Sequence, residues 1–122
     1  MNLLTVNNLS VEVGEKNERV KSVRNVSFTL EEGEVLAIVG ESGCGKSLLC
    51  KSLMGLLPKN GRITSGSIFF EKNDITKYTE SQMKNLRRTA FSMIFQDPLT
   101  ALDPTYTIGA QIAEAVRIND RK

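Results

Sequence analysis

Hydrophobic and polar residues alternate along the first thirty positions, and this pattern predicts two β-strands. The strands are expected near Leu3–Leu9 and Val26–Leu30, and the polar segment around Gly14 between them is expected to form a hairpin loop. The sequence EEGE at Glu31–Glu34 predicts a turn. The next residues, Val35–Val39, form a short continuous apolar run, which is typical of a strand buried on both faces of a parallel sheet.

The rest of the chain alternates between predicted helices and strands. A helix is predicted over Lys46–Leu57, because leucines recur along one stripe, and Pro58 is expected to end it. The segment TESQMKNLRR predicts a second helix, since Thr79 and Gln82 have the spacing of a capping box. The segment IGAQIAEAVRI predicts a third helix, GSIFFEK and FSMIFQ predict strands, and DPLTALDPTYT predicts a loop. The pattern therefore indicates an α/β protein.

Length, charge and composition exclude several kinds of function. The chain has 122 residues, which suits one domain, and its net charge of +2 is too small to indicate binding to nucleic acid. It contains no histidine, so a histidine base and a histidine-ligated metal site are excluded. Cys44 and Cys50 do not form a disulfide or zinc pattern and are expected to be reduced thiols. The N-terminus lacks the features of a signal peptide, and no apolar run approaches the roughly 20 residues that span a bilayer.

Three glycines within six residues, followed by lysine and serine, form the motif G-x-x-x-x-G-K-[ST] of a phosphate-binding P-loop. A tightly curled loop needs glycine conformations to direct several backbone N–H groups at one polyphosphate. The helix that begins at Lys46 adds its positive end, the lysine suits the β- and γ-phosphates, and the Ser47 hydroxyl suits Mg²⁺. The alternative is a glycine-rich turn without a ligand. The residues expected to hold the nucleotide are Gly40, Glu41, Ser42, Gly43, Cys44, Gly45, Lys46, Ser47 and Leu48.

A second segment, MIFQDPLTALDPTYTIGAQI at Met93–Ile112, resembles the Q-loop region of ATP-binding cassette (ABC) transporter ATPases. It is similar in particular to the branch that powers import of oligopeptides, dipeptides and nickel, and the segments VGESGCGKS and VSFTLEEGE also fit that branch. The resemblance covers nearly the whole chain, from Leu3 to about Ile118. It implies a P-loop NTPase fold of the ABC ATPase type, with antiparallel N-terminal strands, a P-loop strand and helix, and a Q-loop strand.

The resemblance also implies roles for individual positions. Gln96 would be the Q-loop glutamine, which touches Mg²⁺ and the attacking water, so Lys46 and Gln96 would be catalytic and Ser47 and Gln96 would be metal ligands. Asp97–Thr107 would lie near the surface that receives a coupling helix from a transmembrane permease subunit. The implied cofactors are ATP and Mg²⁺. The implied partners are permease subunits and a second ATP-binding subunit at the cytoplasmic face of the membrane, where the chain would be peripheral.

Two features depart from the family pattern. The family stacks adenine on an aromatic residue near the position of Val13, whereas the first aromatic residue of this chain is Phe28. The 122 residues also lack the Leu-Ser-Gly-Gly-Gln signature, the Walker B aspartate with its glutamate, and the switch histidine. The sequence is therefore expected to be the N-terminal part of one nucleotide-binding domain, from a truncated gene, a split gene or an artificially cut chain. Alone it is expected to be hydrolytically inactive.

The function predicted from the sequence is the MgATP-binding part of an ATPase subunit that powers import of peptides or nickel. The alternative is a non-catalytic relic that binds nucleotide weakly or not at all. A small P-loop kinase would need an arginine-rich lid, and a GTPase would need an Asn-Lys-x-Asp motif, and neither is present. The solute and the dimer partner stay open. The runs VLAIV and FSMIF are expected to lack parallel neighbours, so the chain alone is expected to be marginally stable and prone to associate.

Overall fold

The computed structural model describes residues 2–40, 45–95 and 101–120, which form parts of two compact units, Met1–Met83 and Lys84–Lys122. The first unit is built on an antiparallel sheet whose strand order is β2-β1-β3-β4. The bounds of its strands are Asn2–Val13 for β1, Val20–Glu31 for β2, Gly61–Phe70 for β3 and Asn73–Asp74 for β4. The predicted N-terminal hairpin is confirmed, and both of its strands are longer than the apolar alternation indicated.

The core of the first unit lies between this sheet and helix α1, which spans Lys46–Met54 and contacts β1, β2 and β3. Its buried apolar side chains come from every one of these elements and from the segment that follows β3. They are Val6, Leu9, Val11, Val23, Leu49, Ile68, Ile75 and Met83. Each fully buried side chain of this size contributes about 1.5–3 kcal/mol. The core therefore holds the start of α1 in a defined position over β2.

Helix α1 ends three residues earlier than predicted, because a glycine and not the proline ends it. Gly55 takes a left-handed conformation with φ +69°, and its N–H group donates to the Ser52 carbonyl at 3.3 Å. The Leu56 N–H group donates to the Lys51 carbonyl at 2.8 Å. These two bonds close the helix in the manner of a Schellman motif. The prediction that the helix continues to Leu57 is therefore wrong.

Two predicted strands do not form in the structure. Val35–Val39 and the run FSMIF at positions 91–95 both lie outside any strand, so these two predictions of secondary structure are wrong. In the part of the chain that the structure describes, every strand belongs to the one antiparallel sheet, and none pairs with either run. Val35 and Ile94 are 94% and 98% exposed. A buried parallel strand needs neighbours on both sides, and without them an apolar run has no ladder to join.

Helix α2 spans Glu80–Thr89, and its predicted capping box is confirmed. The Thr79 N–H group donates to Gln82 Oε1 at 2.9 Å, and the Gln82 N–H group donates to Thr79 Oγ1 at 3.3 Å. The capping residues therefore set where this helix begins. At its other end, the Phe91 N–H group donates to the Leu86 carbonyl.

The predicted third helix, here α3, spans Ile108–Asp120. Thr107 caps it, since Thr107 Oγ1 accepts from the Ala110 N–H group at 3.2 Å. Its apolar residues recur every four positions, and Ile108, Ile112 and Val116 are all more than half exposed. Within the described ranges, no helix has the length and apolar character that crossing a membrane requires.

Candidate nucleotide-phosphate site

Gly45 stands where the P-loop meets helix α1, and two observations show why glycine is required there. Its φ is +95°, a left-handed conformation that side chains rarely adopt. A Cβ atom at this position would lie 2.2 Å from the Ser22 carbonyl oxygen and 3.5 Å from Val23 Cγ2. The Gly45 backbone therefore rests directly on strand β2. This close approach fixes the direction in which the helix leaves the loop.

The first turn of α1 carries neither a side-chain cap from Gly45 nor an acidic residue. The first bond along the helix runs from the Leu49 N–H group to the Gly45 carbonyl at 2.8 Å. The preceding N–H groups and the positive end of the helix dipole are therefore suited to an anion.

Lys46 occupies the first position of the helix, and its side chain reaches back across the loop. Its Nζ donates a hydrogen bond to the Gly40 carbonyl oxygen. This bond brings the lysine of the motif to its first glycine. Ser47 follows with an exposed side chain, and Leu48 is half-buried. The ammonium group and the hydroxyl therefore stand at the same helix end, where one has the charge for phosphate and the other has an oxygen for Mg²⁺.

A cleft of about 530 Å³ opens beside this helix end. Strand β2 lines one side with Lys21, Ser22 and Arg24, and Ile38 lies among the remaining residues of the wall. Arg24 Nε donates to the Lys21 carbonyl at 3.4 Å, which keeps the guanidinium close to the strand. Among the described residues that line the cleft there are cations, and none of these residues is acidic or aromatic. The positive charge of the cleft suits a polyphosphate. A nucleotide base in the cleft would contact aliphatic side chains and the Arg24 guanidinium.

The structure describes only part of the predicted site. Gly40, Gly45 and Lys46 lie together, and Ser47 and Leu48 follow in the first turn of α1. The remaining predicted residues lie outside the described residues: they are Glu41, Ser42, Gly43, Cys44, Gln96 and the segment 97–100. The contribution of β2, through Ser22 and Arg24, was not predicted from the sequence. No local signal marks it, because it depends on how the strand packs against the loop.

Comparison with known proteins assigns the class of this fold. The P-loop before α1 and the antiparallel sheet beside it are the N-terminal architecture of an ATP-binding cassette. The chain matches the ABC transporter family over residues 23–121, and it belongs to that family. It is similar to the dipeptide transport ATP-binding protein DppD of Bacillus subtilis, with 48% identity over 93% of this chain and 34% of the relative. It is also similar to DppD of Escherichia coli, with 40% identity over 98% of this chain and 36% of the relative.

The fold has a solved counterpart in the ATP-binding cassette MJ0796, determined as a dimer in a post-hydrolysis state bound to ADP and Pi. The TM-score is 0.84 at 21% identity, over 98% of this chain and 49% of that chain. At this identity the likeness concerns the fold alone. The incomplete α/β fold of the ABC ATPase type and the family resemblance are therefore confirmed. The chain spans about a third of the length of the curated relatives that it matches.

Proposed function

We propose that residues 1–122 form the N-terminal part of one nucleotide-binding domain and bind MgATP for a subunit that powers peptide import. The observation that carries this proposal is the geometry at Gly45 and Lys46. Gly45 has a left-handed conformation, packs against strand β2 and precedes a helix whose N-terminus has no side-chain cap. Lys46 reaches back to bond the Gly40 carbonyl. The names of the dipeptide-transport relatives support the choice of a peptide importer.

The residues present fit a bound triphosphate. The N–H groups of the first helical turn would donate to phosphate oxygens, and Lys46 would exchange its bond to the Gly40 carbonyl for a charged acceptor. A hydrogen bond between charged partners is stronger than one to a neutral carbonyl, so the exchange favours the nucleotide. Ser47 would contribute its exposed hydroxyl to Mg²⁺, and Gln96 is proposed as the second protein ligand and as the residue that orients water.

Hydrolysis is proposed for the assembled transporter and not for these 122 residues. The sequence contains no signature motif, no Walker B pair and no histidine, so no group on this chain is assigned to activate the water. Positioning and binding alone stabilise a phosphoryl-transfer transition state poorly. The chain would work with permease subunits, contacted near Asp97–Thr107, and with a second ATP-binding subunit. The proposed location is the cytoplasmic face of the membrane.

Titration with ATP and Mg²⁺ tests the nucleotide site. Lys46→Ala is expected to weaken binding about 10- to 150-fold, because one charged hydrogen bond contributes about 1.5–3 kcal/mol. Lys51→Ala is the matched control, since Lys51 lies on the same helix but in its last turn. The control should bind ATP as the parent does. Equal affinity of Lys46→Ala and the parent would contradict the assignment of the site.

A further inference from the structure

The side-chain amide of Gln111, on helix α3, holds the loop that precedes the helix. Its Oε1 accepts from the Asp103 N–H group at 2.8 Å. Its Nε2 donates to the Asp103 carbonyl at 2.9 Å and to the Tyr106 carbonyl at 3.1 Å, with a longer contact to the Thr107 carbonyl at 3.4 Å. One side chain therefore bonds the backbone at both ends of a five-residue loop.

Only a primary amide supplies these bonds. Gln111 must accept from one N–H group and donate two N–H bonds to carbonyl oxygens, and this requirement also fixes which end of the amide is oxygen. A leucine of similar size would leave all of these backbone groups without the amide. A glutamate would keep the acceptor for Asp103 but would set a carboxylate oxygen against carbonyl oxygens. The position therefore distinguishes residues that are almost identical in shape.

The loop is also closed by its own bonds. The Asp103 carboxylate accepts from the Thr105 N–H group at 2.9 Å and from Thr105 Oγ1 at 2.6 Å. The Tyr106 N–H group donates to the Asp103 carbonyl at 3.3 Å. These backbone groups of the loop are therefore bonded within the loop or to Gln111. By contrast, Tyr106 is 67% exposed, and Leu102 beside the loop is 44% exposed.

We propose that Gln111 is a positioning residue that preforms the loop Asp103–Thr107 and holds Tyr106 ready for contact with the membrane subunit. This inference rests on the proposed function, because that function assigns the segment to a permease contact. Ordering a loop and its side chains on association lowers affinity. A loop that is already shaped by Gln111 avoids most of that loss, so the amide would act on partner affinity without touching the partner.

Hydrogen exchange of the loop amides in the 122-residue chain tests the positioning. In Gln111→Leu the Asp103 N–H group should exchange about fivefold to tenfold faster, since its acceptor is removed. The matched control is Glu114→Gln, an exposed position on the same helix, which should leave exchange unchanged. Equal exchange of Asp103 in Gln111→Leu and in the parent would overturn the inference.

The variant Gln111→Glu adds a pH readout that a merely structural role would not produce. Near neutral pH the introduced carboxylate faces the Asp103 and Tyr106 carbonyls, whereas its protonated form regains one donor. Thr105 holds the pKa of Asp103 below its usual range, so Asp103 stays ionised while the introduced carboxyl titrates. The loop amides should exchange faster than in the parent while the carboxylate repels these two carbonyls, and this excess should shrink from about pH 7 to about pH 4. The other charged residues on α3 are Glu114, Arg117 and Asp120. The control Glu114→Gln removes the titratable group that is nearest to position 111 in the sequence. An excess that does not change with pH would contradict the proposed bonds.

Association with the transmembrane subunits of a dipeptide importer, purified in detergent, separates this inference from the proposed function. Gln111→Leu and Tyr106→Ala should both bind about tenfold more weakly than the parent, but only Gln111→Leu should alter exchange at Asp103. Equal binding by Gln111→Leu and the parent overturns the role of Gln111 in partner contact. A parent chain that binds ATP but not these subunits overturns the proposed partner, and the exchange measurement then decides the positioning role by itself.

Discussion

Replacement of Gly45 by alanine tests whether the contact between Gly45 and strand β2 shapes the proposed phosphate site. The added Cβ would lie 2.2 Å from the Ser22 carbonyl oxygen, and real Cβ contacts essentially never fall below 3.0 Å. The loop must therefore move by close to 1 Å, or β2 must give way. Part of the cost is unrelated to this contact, because any side chain at φ +95° costs about 1–2 kcal/mol.

Gly33→Ala isolates the contribution of the contact. Gly33 has φ +80°, close to that of Gly45, but nothing lies within 4 Å of a Cβ built there. Both variants carry the left-handed strain, and only Gly45→Ala carries the clash with Ser22. Overpacking of this kind typically costs about 1–3 kcal/mol, so Gly45→Ala should be less stable than Gly33→Ala by about that amount. Chemical denaturation of the two variants measures the difference.

The same pair of variants should differ in ATP affinity. Displacement of the loop moves N–H groups away from the phosphate, and the loss of one hydrogen bond to a charged group weakens binding about 10- to 150-fold. Gly33→Ala should bind ATP within about twofold of the parent, since it lies in the turn before the exposed run. Titration with a fluorescent ATP analogue provides the assay. Equal affinity in Gly45→Ala and Gly33→Ala would refute the view that β2 sets the shape of the loop.

The remaining predictions concern the two unpaired runs and the chemistry of the chain alone. Amide exchange at Leu36–Val39 and at Ser92–Phe95 should be fast compared with that in strand β1, because neither run joins a ladder; strong protection in a monomer would show that these residues have found partners. The 122 residues should release no phosphate from ATP above background, whereas turnover near 1 per second that Lys46→Ala abolishes would mean that the chain contains a further catalytic group.

The sequence correctly predicts those element boundaries whose signals lie within a few neighbouring residues. The capping box at Thr79 and Gln82 needs only residues three positions apart, so the sequence alone locates the start of α2. The P-loop motif likewise places the start of α1 at Lys46 correctly, because left-handed glycine and a helix N-terminus are short-range features. The predicted end of α1 is too late because both Gly55 and Pro58 can stop a helix, and the glycine comes first along the chain.

Signals that depend on distant parts of the chain are absent from the local pattern or misleading in it. The run at Val35–Val39 has the composition of a buried strand, but composition does not supply the neighbours that a strand requires. The strands β1 and β2 contain Asn8 and Asn25 in left-handed conformations, each opposite a serine hydroxyl that bonds an asparagine N–H group. Such irregular pairs depend on the register between strands, which alternation alone does not reveal.

By itself the sequence determined the family of this protein and predicted the kind of chemistry that its loop suits. Glycine, lysine and serine at fixed spacing suit phosphate because the spacing sets which groups share one turn of backbone, and that is a local property. Only the tertiary structure decided that Gly45 rests on Ser22, that Arg24 lines the cleft, and that Gln111 closes the loop before α3. These contacts join residues on separate elements, or a side chain to a folded loop, and packing and hydrogen-bond geometry select them from many that the sequence would allow.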